Sequence, residues 1–277
     1  MQKKTGLKRD TTDKYYTKTK IASLCVQLFK QNISITNDDL IIEPGAGSGA
    51  FIPFISKLPG YSVFYDIQPK HPLVTQLNFL SFDYDSVYNT YHNIHIIGNP
   101  PFGRQSSTAI KFIKQSSLFA NSISFILPKS FKKNSMKKYF PLNFHLIHQI
   151  ELPIDSFIID DKPHSVPCVF QIWQKKNFNR TIPPKLTPIH FSFVKKSDSP
   201  HFAFRRVGVY AGKIYSDYET RSEQSHYFIR FNDHANLFDS ELLFLLDNID
   251  YKSKNNTVGP RSISKQELIK EFNSVLS

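Results

Sequence analysis

Residues 94–102 read Ile94-His95-Ile96-Ile97-Gly98-Asn99-Pro100-Pro101-Phe102, a short apolar run that ends on Asn-Pro-Pro-Phe. The run predicts a buried strand. The strand must end at Asn99, because proline has no backbone N–H and pushes the residue before it into an extended conformation. Ligands of open α/β sheets bind at the carboxyl ends of the strands. We therefore expect residues 99–102 to form a rigid lip at a binding site.

The chemistry of this tetrapeptide suits a planar ring that carries an amino group. The Asn99 side chain and the Pro100 carbonyl supply two acceptors for the two N–H groups of such an amine. Phe102 supplies a flat apolar face for the ring, and Pro101 completes the substrate side of the lip. An ordinary turn is the alternative interpretation of the tetrapeptide taken alone.

A second motif, upstream, favours the binding site over the turn. Residues 39–42 predict a strand, and the stretch Glu43-Pro44-Gly45-Ala46-Gly47-Ser48-Gly49 follows it. Glycines at alternate positions allow positive φ and a close approach of the backbone to a ligand. The spacing is not the G-x-G-x-x-G of dinucleotide sites, and the Gly-Lys-Ser/Thr ending of a phosphate loop is missing, so a pyrophosphate ligand is disfavoured.

Together the two motifs, in this order, resemble those of S-adenosyl-L-methionine-dependent methyltransferases that modify an exocyclic amine, above all N6 of adenine. The resemblance covers about the first two thirds of the chain, and the motif order is similar to the gamma arrangement of that family. It implies an α/β fold with a doubly wound, Rossmann-like sheet that ends in an antiparallel hairpin. It also implies direct methyl transfer from S-adenosyl-L-methionine to adenine in DNA or RNA, with Asn99, Pro100 and Phe102 as the catalytic contacts.

The resemblance also assigns contacts to the cofactor. The stretch after the first strand would lie beneath it, through Glu43, Gly45, Gly47 and Gly49. Asp66 closes a predicted strand over residues 61–67, and a carboxylate at this position can hold ribose hydroxyls.

Two further cofactor contacts carry alternatives. In the resembled family an aromatic-threonine pair lies over the methionine end of the cofactor, a role that falls on Tyr16 and Thr17; Thr17 or Thr19 could instead cap the helix that follows. Asn78 and Phe79 stand where relatives carry Asp-Phe, whose carboxylate accepts from the adenine amine. Because Asn78 replaces that carboxylate, Asp83 is an alternative acceptor.

The rest of the first part of the chain predicts a helix over 107–120 and strands over 122–128, 144–152 and 165–173. The last two resemble the closing hairpin of the methyltransferase sheet. Phe157, in the segment that joins them, would stack on the target base opposite Phe102; the alternative is a hydrophobic anchor for its loop. Cys168 lies inside an apolar strand and is expected in the core rather than as a nucleophile.

Composition indicates the partner. The 277 residues carry a net charge of +12 with aromatic residues interleaved among the cations, which favours nucleic acid, DNA or RNA. A lysine cluster after strand 122–128 would guide a phosphate backbone or form a solvated face, and it comprises Lys129, Lys132, Lys133, Lys137 and Lys138. The two cysteines and the histidine spacing predict neither a disulfide framework nor a metal site. No apolar run approaches the ~18 residues of a membrane span, so we expect no membrane contact and a soluble, intracellular protein, cytoplasmic or nuclear.

The chain divides into two predicted parts. Residues 1–178 form the methyltransferase domain, with residues 1–13 expected to be a flexible arm. Residues 179–277 form a small basic α+β extension, for which target recognition is one interpretation. Its last helix is predicted to begin at Ser264, because Ser264-x-x-Glu267 is a capping box. A partner subunit or a homodimer is left open.

Two other functions remain open at this level. Release-factor methyltransferases, which modify protein glutamine at N5, use a similar Asn-Pro-Pro-Tyr. Phe102 in place of tyrosine, the strongly basic charge and the lack of a sizeable preceding domain argue against that function. A catalytically silent subunit that binds nucleic acid is the second alternative. The two intact motifs of this chain argue against a loss of catalytic function, whereas Asn78, in place of the usual aspartate, leaves the silent subunit open.

Overall fold

The computed structural model describes residues 15–159, 162–232 and 240–277. The chain divides into two compact units between Thr181 and Ile182. The arm expected over residues 1–13 lies outside the described residues.

A seven-stranded sheet builds the first unit. Its strands are β1 (Leu40–Pro44), β2 (Tyr61–Asp66), β3 (Thr75–Gln76), β4 (Ile94–Gly98), β5 (Ser122–Pro128), β6 (Phe144–Glu151) and β7 (Cys168–Lys175). They lie in the order β3-β2-β1-β4-β5-β7-β6. Strands β1 to β5 are parallel, and β7 is antiparallel to both of its neighbours. This order confirms the doubly wound sheet with a final antiparallel hairpin.

The order of the strands fixes where the two motifs lie. Connections run outward in opposite directions from β1 and from β4, so the two strands adjoin at the topological switch point of the sheet. All residues of β1, β4 and β5 are buried, as expected for apolar runs covered on both faces. The loop that holds Gly45, Gly47 and Gly49, called the glycine loop below, follows β1, and the Asn-Pro-Pro-Phe lip follows β4. The two therefore leave the sheet side by side.

The helices of the first unit are α1 (Thr19–Asn32), α2 (Ile52–Ile55), α3 (Asp85–Tyr88), α4 (Ser107–Phe119) and α5 (Asn134–Lys137). The helix predicted over 107–120 is thus confirmed. The residue before α1 is Lys18, without a side-chain capping bond, so the capping role considered for Thr17 or Thr19 was wrong. Cys168 is buried in β7 and belongs to the core, as expected.

A small second sheet was not predicted. The strands Tyr16–Thr17, Phe157–Ile159 and Lys162–His164 pair antiparallel in this unit. Tyr16 lies opposite Ile158, and Thr17 opposite Phe157. Strands of two and three residues are too short to show the alternation by which a sequence reveals a strand.

The second unit has its own sheet and core. Strands β8 (Phe191–Val194), β9 (Phe202–Arg205), β10 (Ile214–Tyr215) and β11 (His226–Phe231) form an antiparallel sheet in the order β8-β11-β9-β10. Helices α6 (Ser240–Asp247) and α7 (Lys265–Leu276) complete the unit. Phe204 and Phe272 are fully buried in this core. The capping box predicted at Ser264 and Glu267 opens α7.

The basic character expected of this unit amounts to a small net charge. Residues 182–277 hold thirteen lysines and arginines against eleven aspartates and glutamates, a net charge of +2. The remaining +10 of the total +12 falls on residues 1–181. Any long-range attraction of a polyanion therefore comes mainly from the unit that carries the two motifs.

In the described residues no helix has the length and apolar character needed to cross a membrane.

A buried polar network joins the amino ends of three central strands. Asp39 is fully buried and accepts hydrogen bonds from the Thr36 backbone at 2.8 Å and from the Asn93 backbone and side chain at 3.1 and 3.0 Å. His95 of β4 lies 3.4 Å from the same carboxylate through Nε2, and its Nδ1 contacts Ser122 Oγ of β5 at 2.8 Å. Burial lowers the pKa of His95, although Asp39 opposes that shift. The network lies at the strand ends opposite the two motifs, so we assign it to stability.

We expect Asp39→Ala to lower the free energy of unfolding by about 3–5 kcal/mol, because the substitution leaves several buried donors without an acceptor. Asp38→Ala is the matched control, since Asp38 is exposed. Urea denaturation followed by the fluorescence of Trp173, the single tryptophan, reports on this unit. Equal midpoints for the two variants would contradict the stabilising role of the network.

Candidate active site

A cavity of about 330 Å³ lies at the carboxyl ends of β1, β2 and β4. It brings together five stretches of sequence that are far apart in the chain. Of the residues predicted for the site, those that line the cavity are Tyr16, Thr17, Glu43, Gly45, Gly47, Asp66, Asn78, Phe79, Asn99, Pro100 and Pro101. The structure thus places both motifs, and most of the predicted cofactor contacts, around one space.

The glycine loop has the backbone that its sequence predicts. Gly45, Gly47 and Gly49 have φ of +75°, +51° and +81°, which side chains other than glycine rarely adopt. A Cβ at Gly47 would lie 3.5 Å from the Tyr16 ring. A Cβ on Gly49 would meet the His71 ring and Ile52 at 2.9 Å, and Gly49 does not line the cavity. Gly49 therefore allows tight packing behind the loop, and its predicted contact with a cofactor is not supported.

Asp66 organises the loop from the end of β2. Its Oδ2 accepts from the Gly47 backbone N–H at 2.8 Å, and its Oδ1 accepts from the Gln68 backbone N–H at 2.7 Å. A carboxylate oxygen has two lone pairs, so both oxygens can still accept a hydroxyl from the cavity. Asp66 thus has a structural role that the sequence did not reveal, besides the binding role predicted for it.

Glu43 is a buried acidic side chain that forms no ion pair with the residues described in the structure. Its side chain is 2% exposed, and Oε2 has no hydrogen-bond partner in the described part of the chain. Burial raises the pKa of Glu43 well above its usual range, and the nearby charge of Asp66 raises it further. A buried carboxylate of this kind is stabilised by a cation. The wall of the cavity formed by Glu43 therefore suits a positively charged group of a ligand.

Asn78 and Phe79 form the wall beyond β3. Asn78 Oδ1 accepts from the Leu80 backbone N–H at 3.1 Å, so the amide caps a short 3₁₀ turn over Phe79–Ser81. Phe79 is buried and lines the cavity with an apolar ring. Asp83, the alternative acceptor, is exposed and does not line the cavity. The structure therefore favours Asn78 over Asp83 for any contact at this wall.

Asn99 is held by the strand Tyr16–Thr17 and the residue before it. Its Nδ2 donates to the Tyr15 carbonyl and to Thr17 Oγ1, both at 3.1 Å. Its Oδ1 is buried and has no partner among the described residues. Native structures leave few buried polar atoms unpaired, and those that remain often serve a function. Asn99 lines the cavity, and its Oδ1 is an acceptor that no described residue uses.

Two aromatic predictions need correction. Phe102 is 6% exposed, Phe157 is 0% exposed, and neither lines the cavity. Both pack against the Tyr15 ring, at centroid distances of 5.9 and 6.0 Å. Tyr15 does line the cavity, and its ring also stacks on His164 at 5.3 Å. Tyr15, rather than Phe102 or Phe157, therefore brings an aromatic ring of this cluster to the cavity. The structure favours the anchoring role of Phe157 over stacking on a base.

The lysine cluster after β5 is partly engaged within the protein. Lys129 and Lys132 both form ion pairs with Glu151, at 2.8 and 2.5 Å. Burial lowers the pKa of Lys137, and the charges of Lys132 and Arg180 lower it further. The two ion pairs give Lys129 and Lys132 a local structural role. In the described residues no group of three or more histidine, cysteine, aspartate or glutamate side chains is placed to hold a metal ion.

Comparisons with known proteins give distant likenesses in structure alone. No protein-family model matches the chain, and no curated protein matches its sequence. A protein of Pyrococcus horikoshii provisionally assigned as an RNA methyltransferase is similar over 61% of this chain and 91% of its own, with 15% identity and a TM-score of 0.47.

Two further structures are similar at the same level. The 23S rRNA methyltransferase ErmE is similar over 60% of this chain and 71% of its own, with 12% identity and a TM-score of 0.43. The magnesium protoporphyrin IX methyltransferase of Synechocystis, with bound S-adenosylmethionine, is similar over 57% and 79%, with 10% identity and a TM-score of 0.41. Likenesses this distant do not identify a substrate.

We expect Phe157→Ala to lower the free energy of unfolding by about 3–5 kcal/mol, because a fully buried ring is removed. Phe157→Trp should also destabilise, by about 1–3 kcal/mol, because a larger ring would have to fit where the phenylalanine is already fully buried. Ile154→Ala is the control, since Ile154 lies in the loop just before the strand of Phe157 and is 75% exposed. Chemical denaturation followed by circular dichroism measures all three. Wild-type stability in both Phe157 variants, together with weakened nucleic-acid binding, would restore the stacking role.

Proposed function

We propose that this protein is an S-adenosyl-L-methionine-dependent methyltransferase that modifies the N6 amine of adenine in nucleic acid. The observation that carries the proposal is Asn99 Oδ1, which has no partner among the described residues and belongs to a side chain that lines the same cavity as the glycine loop. The cavity thus has a fixed hydrogen-bond acceptor for an amine on one side, at Asn99, and a wall suited to a cationic ligand on another, at Glu43.

The residues around the cavity fit S-adenosyl-L-methionine. Glu43 would hold the cationic ammonium group, which is the compensating charge that its buried carboxylate lacks. Asp66 would accept from ribose hydroxyls, with Asn78 and Phe79 beside the adenine. The backbone at Gly45 and Gly47 lets the ligand lie close to the loop. When bound, this cofactor supplies a methyl group on a positively charged sulfur.

The lip supplies the acceptor side. Asn99 Oδ1 and the Pro100 carbonyl would accept the two N–H groups of the exocyclic amine. Acceptors fixed before the reaction stabilise positive charge as it develops on the nitrogen, without reorganisation. The Tyr15 ring, rather than Phe102, offers the base an aromatic face at the cavity. A base within a duplex must be flipped out to reach such a pocket, so DNA and RNA both remain substrates of the proposal.

Charge favours nucleic acid over protein. A glutamine side chain offers the same two N–H groups as adenine, so the lip alone also admits methylation of protein glutamine. The net charge of +10 on residues 1–181 attracts a polyanion to the unit that holds the cavity. The nearly neutral second unit weakens the interpretation of that unit as an electrostatic reader of DNA. Single-stranded RNA is the substrate we expect to be modified fastest.

The function is tested by incubating the purified protein with radiolabelled S-adenosyl-L-methionine and single-stranded RNA, single-stranded DNA, duplex DNA or release factor. Mass spectrometry of the digested product should identify N6-methyladenosine or its deoxy form. We expect Asn99→Ala to lower the turnover number by about 100-fold, the effect of one lost transition-state contact worth about 3 kcal/mol, with little change in cofactor affinity. Asn89→Ala is the control, since Asn89 is exposed. Methylated glutamine as the main product, or full turnover in Asn99→Ala, would contradict the proposal.

Glu43 predicts a pH dependence of cofactor binding. Its raised pKa means that the free protein keeps more of the protonated side chain near neutral pH than an exposed glutamate would. A cationic ligand favours the carboxylate, so binding releases a proton, and the affinity rises with pH until Glu43 is ionised in the free protein. Calorimetric titrations in buffers of different ionisation enthalpy measure the released proton. We expect Glu43→Gln to abolish the release; an unchanged release would remove Glu43 from the cation site.

A further inference from the structure

We infer that Thr17 is a positioning residue that fixes which end of the Asn99 amide faces the acceptor. The sequence assigned Thr17 to the cofactor, and the structure shows its hydroxyl bonded to Asn99 instead. The inference rests on the proposed function for its effect on turnover. Its structural part, a fixed amide orientation, can be measured without any methyl transfer.

The bonds of Asn99 determine the orientation of its side chain. The Tyr15 carbonyl can only accept, so the amide nitrogen must be the atom that lies 3.1 Å from it. The same nitrogen donates its second hydrogen to Thr17 Oγ1 at 3.1 Å. Both N–H groups are then used, and Oδ1 is left over as an acceptor. A flipped amide would place an oxygen against the Tyr15 carbonyl, where two acceptors repel each other.

Thr17 is itself held by the segment that follows β6. It pairs with Phe157 across the small sheet, and the next backbone N–H, that of Lys18, donates to the Ser156 carbonyl at 3.0 Å. The Lys18 ammonium adds an ion pair with Asp155 at 2.8 Å. Thr17 is buried, so water competes weakly for its hydroxyl. The strand Tyr16–Thr17 thus holds Thr17 Oγ1 in a fixed position, where it accepts the hydrogen bond from Asn99 Nδ2.

The inference separates two roles that the sequence could not distinguish. If Thr17 served the cofactor, removal of its hydroxyl would weaken cofactor binding and leave turnover at saturation intact. If Thr17 positions Asn99, the same change leaves cofactor binding intact and lowers the turnover number, because the acceptor atom is presented in fewer molecules. The Tyr15 carbonyl remains in every side-chain variant, so we expect a partial loss rather than an abolition.

The test compares Thr17→Val, which is nearly isosteric and lacks the hydroxyl, with Thr17→Ser, which keeps it. Thr19→Val is the matched control, since Thr19 is exposed and lies two residues away. The first readout is the hydrogen-exchange rate of the Asn99 side-chain amide in the free protein, measured by NMR and assigned through its loss in Asn99→Asp. The second is the dissociation constant for S-adenosyl-L-methionine, and the third is the turnover number at saturating cofactor.

We expect Thr17→Val to speed exchange of the Asn99 amide about tenfold and to lower the turnover number by about tenfold, the effect of one lost hydrogen bond. The dissociation constant should stay within twofold, and Thr17→Ser and Thr19→Val should match the wild type. Unchanged amide exchange in Thr17→Val would overturn the inference, as would a weakened cofactor with normal turnover. If the wild type methylates no substrate, the proposed function fails, and the exchange measurement alone still decides the orientation of Asn99.

Discussion

The end of β4 at Asn99-Pro100-Pro101 is the constraint on which the site depends. Two prolines in succession offer no backbone donors, so the strand cannot continue and the chain must leave the sheet there. Because β4 adjoins β1 at the topological switch point, the lip emerges beside the glycine loop. The strand Tyr16–Thr17 then bonds to the side chain of Asn99. Three elements from separate parts of the chain thus meet around one cavity.

Two buried oxygen atoms of residues that line this cavity have no hydrogen-bond partner among the described residues, and they differ in the kind of partner they require. In the part of the chain that the structure describes, Glu43 is a buried carboxyl group that forms no ion pair, and Asn99 Oδ1 is a buried acceptor that receives no hydrogen bond. Each unsatisfied group lowers the stability of the free protein by about 1–3 kcal/mol or more. A cationic cofactor and an amine substrate would supply the two missing partners.

Much of the sheet could be predicted from the sequence, because its central strands are buried on both faces and therefore read as unbroken apolar runs. The backbone of the glycine loop was predictable too, since only glycine adopts its φ angles readily. The small sheet was not, because strands of two or three residues show no alternation. The position of Tyr15 at the cavity could not be predicted either, because Tyr15 directly precedes one of these short strands. Phe157 was assigned to the substrate by its position in the chain, and position alone does not reveal that a ring is fully buried.

The most direct test of the account is a calorimetric titration of the purified protein with S-adenosyl-L-homocysteine, with NAD⁺ titrated in parallel. The cavity that Glu43, Asp66 and Asn99 line should bind one S-adenosyl-L-homocysteine per chain, in competition with S-adenosyl-L-methionine, and should not bind NAD⁺. A titration that shows no binding of S-adenosyl-L-homocysteine, or a preference for NAD⁺, would contradict the assignment of this cavity to a methyl donor.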